Sequence, residues 1–181
     1  MVFKNARIGL SILALIAATA PLVAQGSKGL QVVPVVRDDH LYVSFELREG
    51  LTPDVRAAID SGLKTIFTYT VDLRLDAGWW LDRTVAQAVV TNSVEYDNLR
   101  RKHTLERRID GRSEPSLTTE DPLEVRQWMT KVKDAPLFST RVLQRNRDYY
   151  VRVSATARPS YGSILWPFGS GTSAQTKFFF R

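Results

Sequence analysis

The side chains best placed to do chemistry in this sequence are Asp76 and Asp82, which bracket Trp79 and Trp80 in the stretch "RLDAGWWLDR", residues 74–83. Two carboxylates beside indole faces could hold a sugar by stacking and hydrogen bonding. With Asp97 further along, they could also supply the acid and base of a hydrolase. Either use needs a cleft in which burial or a neighbouring charge perturbs the acids. The competing account is structural: acids and arginines pair across the base of a hairpin for roughly 0.2–1 kcal/mol per pair while the tryptophans close its tip. We take the structural account as the expectation, because a hairpin tip does not by itself form a cleft.

Other catalytic signatures are missing from the sequence. It has no G-x-S-x-G, no H-E-x-x-H and no glycine-rich phosphate loop, and its two histidines, His40 and His103, stand far apart. It has no cysteine, which removes a thiol nucleophile, a cysteine-ligated zinc and a lipidated amino terminus of the bacterial lipoprotein kind. No cofactor and no metal is expected, and the oligomeric state is left open.

The elements that would position these residues begin after an amino-terminal segment of different character. Lys4 and Arg7 precede an apolar run from Ile8 to Ala24 with small residues near its end, the pattern of a secretory signal. Cleavage after Ala24 is expected, with an uncleaved anchor as the alternative, since a run of about 17 residues reaches the short limit for a membrane span. Residues 1–24 carry two of the basic residues, so the remainder has 23 basic and 19 acidic residues, a net charge of +4. Basic clusters at 98–108 and 140–152 are read as solvated strand faces that protect sheet edges. Export argues against nucleic acid as their partner and leaves anionic lipid or an acidic protein.

Residues 25–29 read as a linker and 30–181 as one domain. Alternation in "HLYVSFEL" and again from Phe67 to Leu75 predicts strands with Phe67, Tyr69, Val71 and Leu73 on one face. A long run from Trp79 to Leu99 should pair back as a hairpin around residues 76–79. A two-residue loop there would set Asp72 opposite Arg83, whereas a three-residue loop with a bulge at Gly78 would turn Val85 and Val89 inward. "KHTLERRIDG" predicts a strand, with His103 as a satisfied core or interface histidine beside Leu105 and Ile109, and "RSEPSLTTE" a loop. Two helices are expected. One starts at Thr52 with Pro53 in its first turn and a stripe of Val55, Ala58, Ile59, Gly62 and Leu63. The other spans 121–136, capped by Asp121 with Glu124 three residues on, and buries Val125, Trp128, Met129 and Val132. Strands at "LFSTRVLQ", "DYYVRVSATA" and "TKFFFR" complete the pattern. The loop at 158–175 carries Leu165, Trp166 and Phe168, read as a core cap with partner contact as the alternative.

The stretch "FELREGLTPDVRAAIDSGLKTIFTYTVDLRLDAGWWLD", the segment "VEYDNLRRKHTLER" and a later helix leading to "DYYVRVSA" resemble the uncharacterised bacterial exported proteins grouped as domain-of-unknown-function family 4390. The resemblance covers most of residues 30–157 and brings no catalytic residues with it. It implies an envelope setting. Some relatives are encoded beside a membrane-bound sensor histidine kinase, which implies a link to envelope signalling.

The expected architecture is a mainly β, antiparallel two-sheet sandwich, immunoglobulin-like or similar, with two short amphipathic helices. The expected function is a non-enzymatic binding module exported to the periplasm or cell envelope, engaging a protein partner or an anionic membrane surface through a strand edge, the basic face or the 159–169 loop. Its candidate contact residues are Trp79, Trp80, Asp82, Leu165, Trp166 and Phe168. The alternatives are a carbohydrate-binding sandwich or a hydrolase using Asp76 and Asp82 beside the tryptophans.

Overall fold

A computed structural model of the chain describes residues 29–78, 82–159 and 172–181. The amino-terminal segment 1–24, the tryptophan pair Trp79 and Trp80, and the Leu165, Trp166 and Phe168 cluster lie outside the described residues.

Two antiparallel sheets make the sandwich. The smaller contains β1 (Leu30–Arg37), β2 (His40–Leu47) and β8 (Lys131–Ser139) in the order β1-β2-β8. The larger contains β3 (Thr65–Leu75), β4 (Arg83–Asp97), β5 (Lys102–Ile109), β9 (Arg147–Pro159) and β10 (Thr172–Phe180) in the order β10-β9-β3-β4-β5. The short β6 (Arg112–Ser113) and β7 (Leu117–Thr119) add to β5, so part of the segment expected to be only loop forms strand. The period of two that marks β3 is realised as burial: Phe67, Tyr69, Val71 and Leu73 are at most 1% exposed, while residues between them face outward. They share one core with Leu41, Val43, Phe45 and Leu47 of the smaller sheet. One side of the sandwich is closed where β1 runs beside β10 and Thr176 Oγ1 donates to the Val32 carbonyl at 2.8 Å.

Helix α1 (Pro53–Asp60) starts as its sequence predicts, with Thr52 Oγ1 accepting from the Val55 N–H, and buries Val55, Ala58 and Ile59. It ends before the predicted stripe does. The Gly62 N–H donates to the Ile59 carbonyl and the Leu63 N–H to the Ala58 carbonyl, a Schellman closure with Gly62 at φ +84°, and Leu63 is left exposed. A Cβ at Gly62 would also stand 2.9 Å from Asn98 Nδ2 and 3.4 Å from the Tyr96 carbonyl oxygen. Gly62→Ala is therefore expected to destabilise the protein by about 1–2 kcal/mol, measured as a lowered urea midpoint; an unchanged midpoint would contradict the close approach.

Helix α2 (Pro122–Thr130) is shorter than the predicted 121–136. Asp121 caps it by accepting from the Leu123 N–H at 2.8 Å, while the Asp121 N–H donates to Thr119 Oγ1, which stands where a capping box would use Glu124. From Lys131 the chain becomes β8, because Val132 can pair opposite Phe45 and bury itself there. Asp134, at φ +48°, sits where β8 slips register against β2, and its N–H donates to Ser44 Oγ at 2.9 Å. The strand expected over 137–144 stops at Ser139 and turns into a 3₁₀ helix, Thr140–Val142.

The β3–β4 hairpin takes neither expected register. Asp72 lies opposite Gln87 instead of Arg83, Leu75 lies opposite Arg83, and the ladder slips between Leu73 and Arg74. β3 ends at Leu75 and β4 starts at Arg83. Ala88 and Val90 point inward, with Val89 on the other face.

Candidate functional site

The acids that opened the hydrolase reading separate into two places. Asp82 precedes β4 and Asp97 is its last residue, so the two stand at opposite ends of a fifteen-residue strand that extends roughly 50 Å. Asp97 belongs to the β4–β5 turn, where its Oδ1 accepts from the N–H groups of Leu99 and Arg100 at 2.9 and 3.0 Å. Those hydrogen bonds, that to Arg100 first, hold its carboxyl below the usual carboxylate range.

Asp76 and Asp82 stay near the hairpin base, and each already has a protein partner. Lys177 Nζ from β10 donates to Asp76 Oδ2 at 2.6 Å, and the Tyr150 hydroxyl from β9 donates to Asp82 Oδ2 at 2.7 Å. Arg74 donates to the Asp82 carbonyl at 2.8 Å, and its Nε is buried without a partner among the described residues. Burial first, and the bond to Asp82 second, push the Tyr150 hydroxyl above its ordinary value. The arrangement ties β9 and β10 to the hairpin stem, so both carboxylates have a structural role. Asp72 does the same with Gln87 at 2.7 Å.

The Asp76–Lys177 pair gives a pH prediction. The hydrogen bond from Lys177, helped by that from the Gly78 N–H, lowers the Asp76 pKa, so its folded value lies below its unfolded one. Stability from this pair is complete above the ordinary carboxylate range near ~4 and is lost as pH falls through the depressed folded value. Lys177→Met is therefore expected to flatten the fall of the urea midpoint between about pH 5 and pH 2. A variant curve parallel to the wild type over that window would contradict the pairing.

At the opposite end of the sandwich, a cleft of about 280 Å³ opens between α1 and the start of α2. Its apolar lining comes from Leu51, Ile59, Pro122, Leu123 and Val125, and its polar lining from Arg56, Asp60, His103 and Arg126. The helices hold these residues in place through the buried sides of Val55, Ile59, Val125 and Met129, which fix each helix against the sheets. Arg56 and Arg126 each follow a buried valine and are exposed. Neither makes an ion pair among the described residues, and the contact of Arg126 with the Arg48 carbonyl is long, at 3.5 Å. His103 packs against Tyr96 with ring centroids 4.7 Å apart and planes tilted by 37°, and its Nδ1 is buried without a hydrogen-bond partner among the described residues. It is thus not the satisfied histidine the sequence predicts. His40 is satisfied, its Nδ1 lying 2.9 Å from the Asp38 carbonyl oxygen.

Sequence reading misses this cleft. Its signal is the repeated arrangement of cap, proline and buried valine followed by arginine, in "TPDVR" and "DPLEVR". Only the fold shows that the two helices share one end. The basic cluster 98–108 also divides. Arg107 is not solvated: its side chain is 14% exposed, its Nε donates to Asn92 Oδ1 at 2.8 Å, and its Nη2 donates to the Trp128 and Lys131 carbonyls at 3.1 and 3.0 Å.

The cleft can take an apolar body with a negative group beside Arg56 and Arg126, whose guanidinium forks have no ion pair among the described residues. Over residues 26–160 the sequence matches the model of the family described as Domain of unknown function (DUF4390). No curated protein and no solved structure matches it.

Proposed function

This chain belongs to the DUF4390 family, and from that premise we propose that it is a non-enzymatic binding module of the cell envelope, exported by its amino-terminal segment, that engages a protein or lipid partner. One observation carries the reading: the α1–α2 cleft combines an apolar lining with two arginines that have no ion-pair partner among the described residues. A guanidinium without a carboxylate suits an external anion, since its fork matches carboxylate or phosphate oxygens. The occupied state of Asp76 and Asp82 supports the same reading, because proton transfer to a substrate would first have to break the bonds to Lys177 and Tyr150. Among the described residues, no helix is long and apolar enough to cross a membrane. Attachment to the envelope then rests on the amino-terminal segment or on the partner.

The test compares Arg56→Gln/Arg126→Gln with Asp76→Asn/Asp82→Asn, both checked for folding by circular dichroism. Binding to solubilised envelope components should fall in the arginine variant and persist in the aspartate variant. Loss confined to the aspartate variant, or a hydrolytic turnover that it abolishes, would overturn the reading.

A further inference from the structure

We propose that the α1–α2 cleft binds a single-chain anionic amphiphile, an alkyl chain ended by a phosphate or carboxylate, as free ligand or as one tail of an envelope lipid. This rests on the binding-module reading above and specifies its ligand. The size of the cleft restricts the ligand first. At about 280 Å³ it lies near the lower bound of roughly 300 Å³ for small-molecule sites, so it takes one short chain or the end of one, not two acyl chains side by side.

The lining gives the second restriction. Ile59 and Val125, each 3% exposed, form the inner apolar surface, and Leu123, 66% exposed, stands at the entrance as a large apolar side chain in water. An alkyl chain against these residues would cover Leu123. Charge gives the third. Arg56 and Arg126 both line the cleft, one from each helix, with Asp60 as its single acid. His103 also lines the cleft, and its Nδ1 is buried without a hydrogen-bond partner among the described residues. A buried polar atom left without a bond costs about 1–3 kcal/mol, a cost a ligand oxygen or hydroxyl would relieve once the His103 ring turns Nδ1 toward the cleft. An uncharged apolar ligand would leave both arginines unmatched, and inorganic phosphate would leave the apolar surface in water.

Calorimetric titration of the full chain with hexyl and octyl phosphate, below their micellar concentrations, tests the proposal. Octyl phosphate should bind saturably and about tenfold more tightly than hexyl phosphate, as burial of two further methylenes requires. Octanol and inorganic phosphate should bind far more weakly than octyl phosphate. Arg56→Gln/Arg126→Gln, at two exposed positions where folding is not at risk, should weaken octyl phosphate binding at least tenfold. His103→Phe, which keeps a ring against Tyr96, should weaken it about fivefold. Equal affinity in the double arginine variant would overturn the proposal, because the amphiphile would then sit elsewhere on the chain. No saturable binding of octyl phosphate, with a peptide ending in an apolar residue and a free carboxylate bound instead, would overturn the amphiphile and leave the binding module standing. Loss of both, with envelope components still bound by the double arginine variant, would remove the cleft from both readings.

Discussion

Replacing Tyr69 with alanine is expected to lower the unfolding free energy by about 4 kcal/mol, the range for removing a fully buried aromatic ring. Tyr69 is 0% exposed and sits at the centre of the core, its ring 4.7 Å from that of Phe45 on the facing sheet and 6.5 Å from that of Phe67. It joins the two sheets. Its hydroxyl also donates to the Met129 carbonyl at the end of α2, at 2.6 Å, and burial keeps the phenol protonated by pushing its pKa well above the ordinary value. Tyr69→Phe separates the two contributions. It keeps the ring and removes one hydrogen bond, and Met129 O retains a donor in Asn92 Nδ2 at 3.3 Å. The expected loss is about 1 kcal/mol. Urea denaturation of the two variants checks this, and equal losses would show that the cost lies in the hydroxyl instead of the packing.

The second large effect belongs to Arg107. Arg107→Met keeps much of the side chain's volume and removes every donor, so Asn92 Oδ1 and the Lys131 carbonyl lose bonds inside a partly buried junction. The Trp128 carbonyl keeps a donor from Asn92 Nδ2 at 2.9 Å. The guanidinium also lies over the Trp128 ring, 4.5 Å from its centroid, a contact methionine replaces without the charge. The expected cost is about 3 kcal/mol, since hydrogen bonds to charged groups contribute roughly 1.5–3 kcal/mol each and part of the loss is recovered by relaxation. Arg107→Lys should recover less than half, because an ammonium cannot span acceptors on β4, α2 and β8 with one planar fork. A loss under about 0.5 kcal/mol, the size usual for exposed positions, would mean that Arg107 behaves as the solvated residue its neighbours Arg108 and Arg101 are.

Tyr69, Asn92 and Arg107 together explain how α2 is fixed and why the cleft beside it has a defined shape. All three donate to carbonyls at or just after the carboxy-terminal end of α2, acceptors the helix itself leaves unpaired. The helix is thereby pinned to the larger sheet at one end. At its other end, Pro122 and Leu123 are exposed and line the cleft.

The legible parts of this fold are those in which local pattern and tertiary burial agree. The alternation from Phe67 to Leu73, the cap and proline at each helix start, and the alternation from Val151 to Ala155 all reappear in the structure. The illegible parts are those in which two patterns compete or a distant partner decides. Val125, Met129 and Val132 keep helical spacing across the end of α2, yet Val132 gains more by pairing with Phe45 in a sheet, so the helix stops at Thr130. The hairpin register depended on a slip at Leu73 and Arg74 that no turn residue announces. Arg107 and Arg108 look alike in sequence, and only the carbonyls at the end of α2 distinguish them. For the site, the sequence points to the carboxylates at the hairpin, where the structure supplies partners, and passes over the helix arginines, whose significance arises from two segments about seventy residues apart meeting at one end.

The most direct test of the account is amide chemical-shift mapping by NMR, with lipid nanodiscs of anionic composition added to the protein. Shifts should concentrate at Arg56, Ile59, His103, Leu123 and Arg126, with Asp76, Asp82 and Tyr150 unmoved. Shifts concentrated at the hairpin base, with the helix end silent, would contradict it.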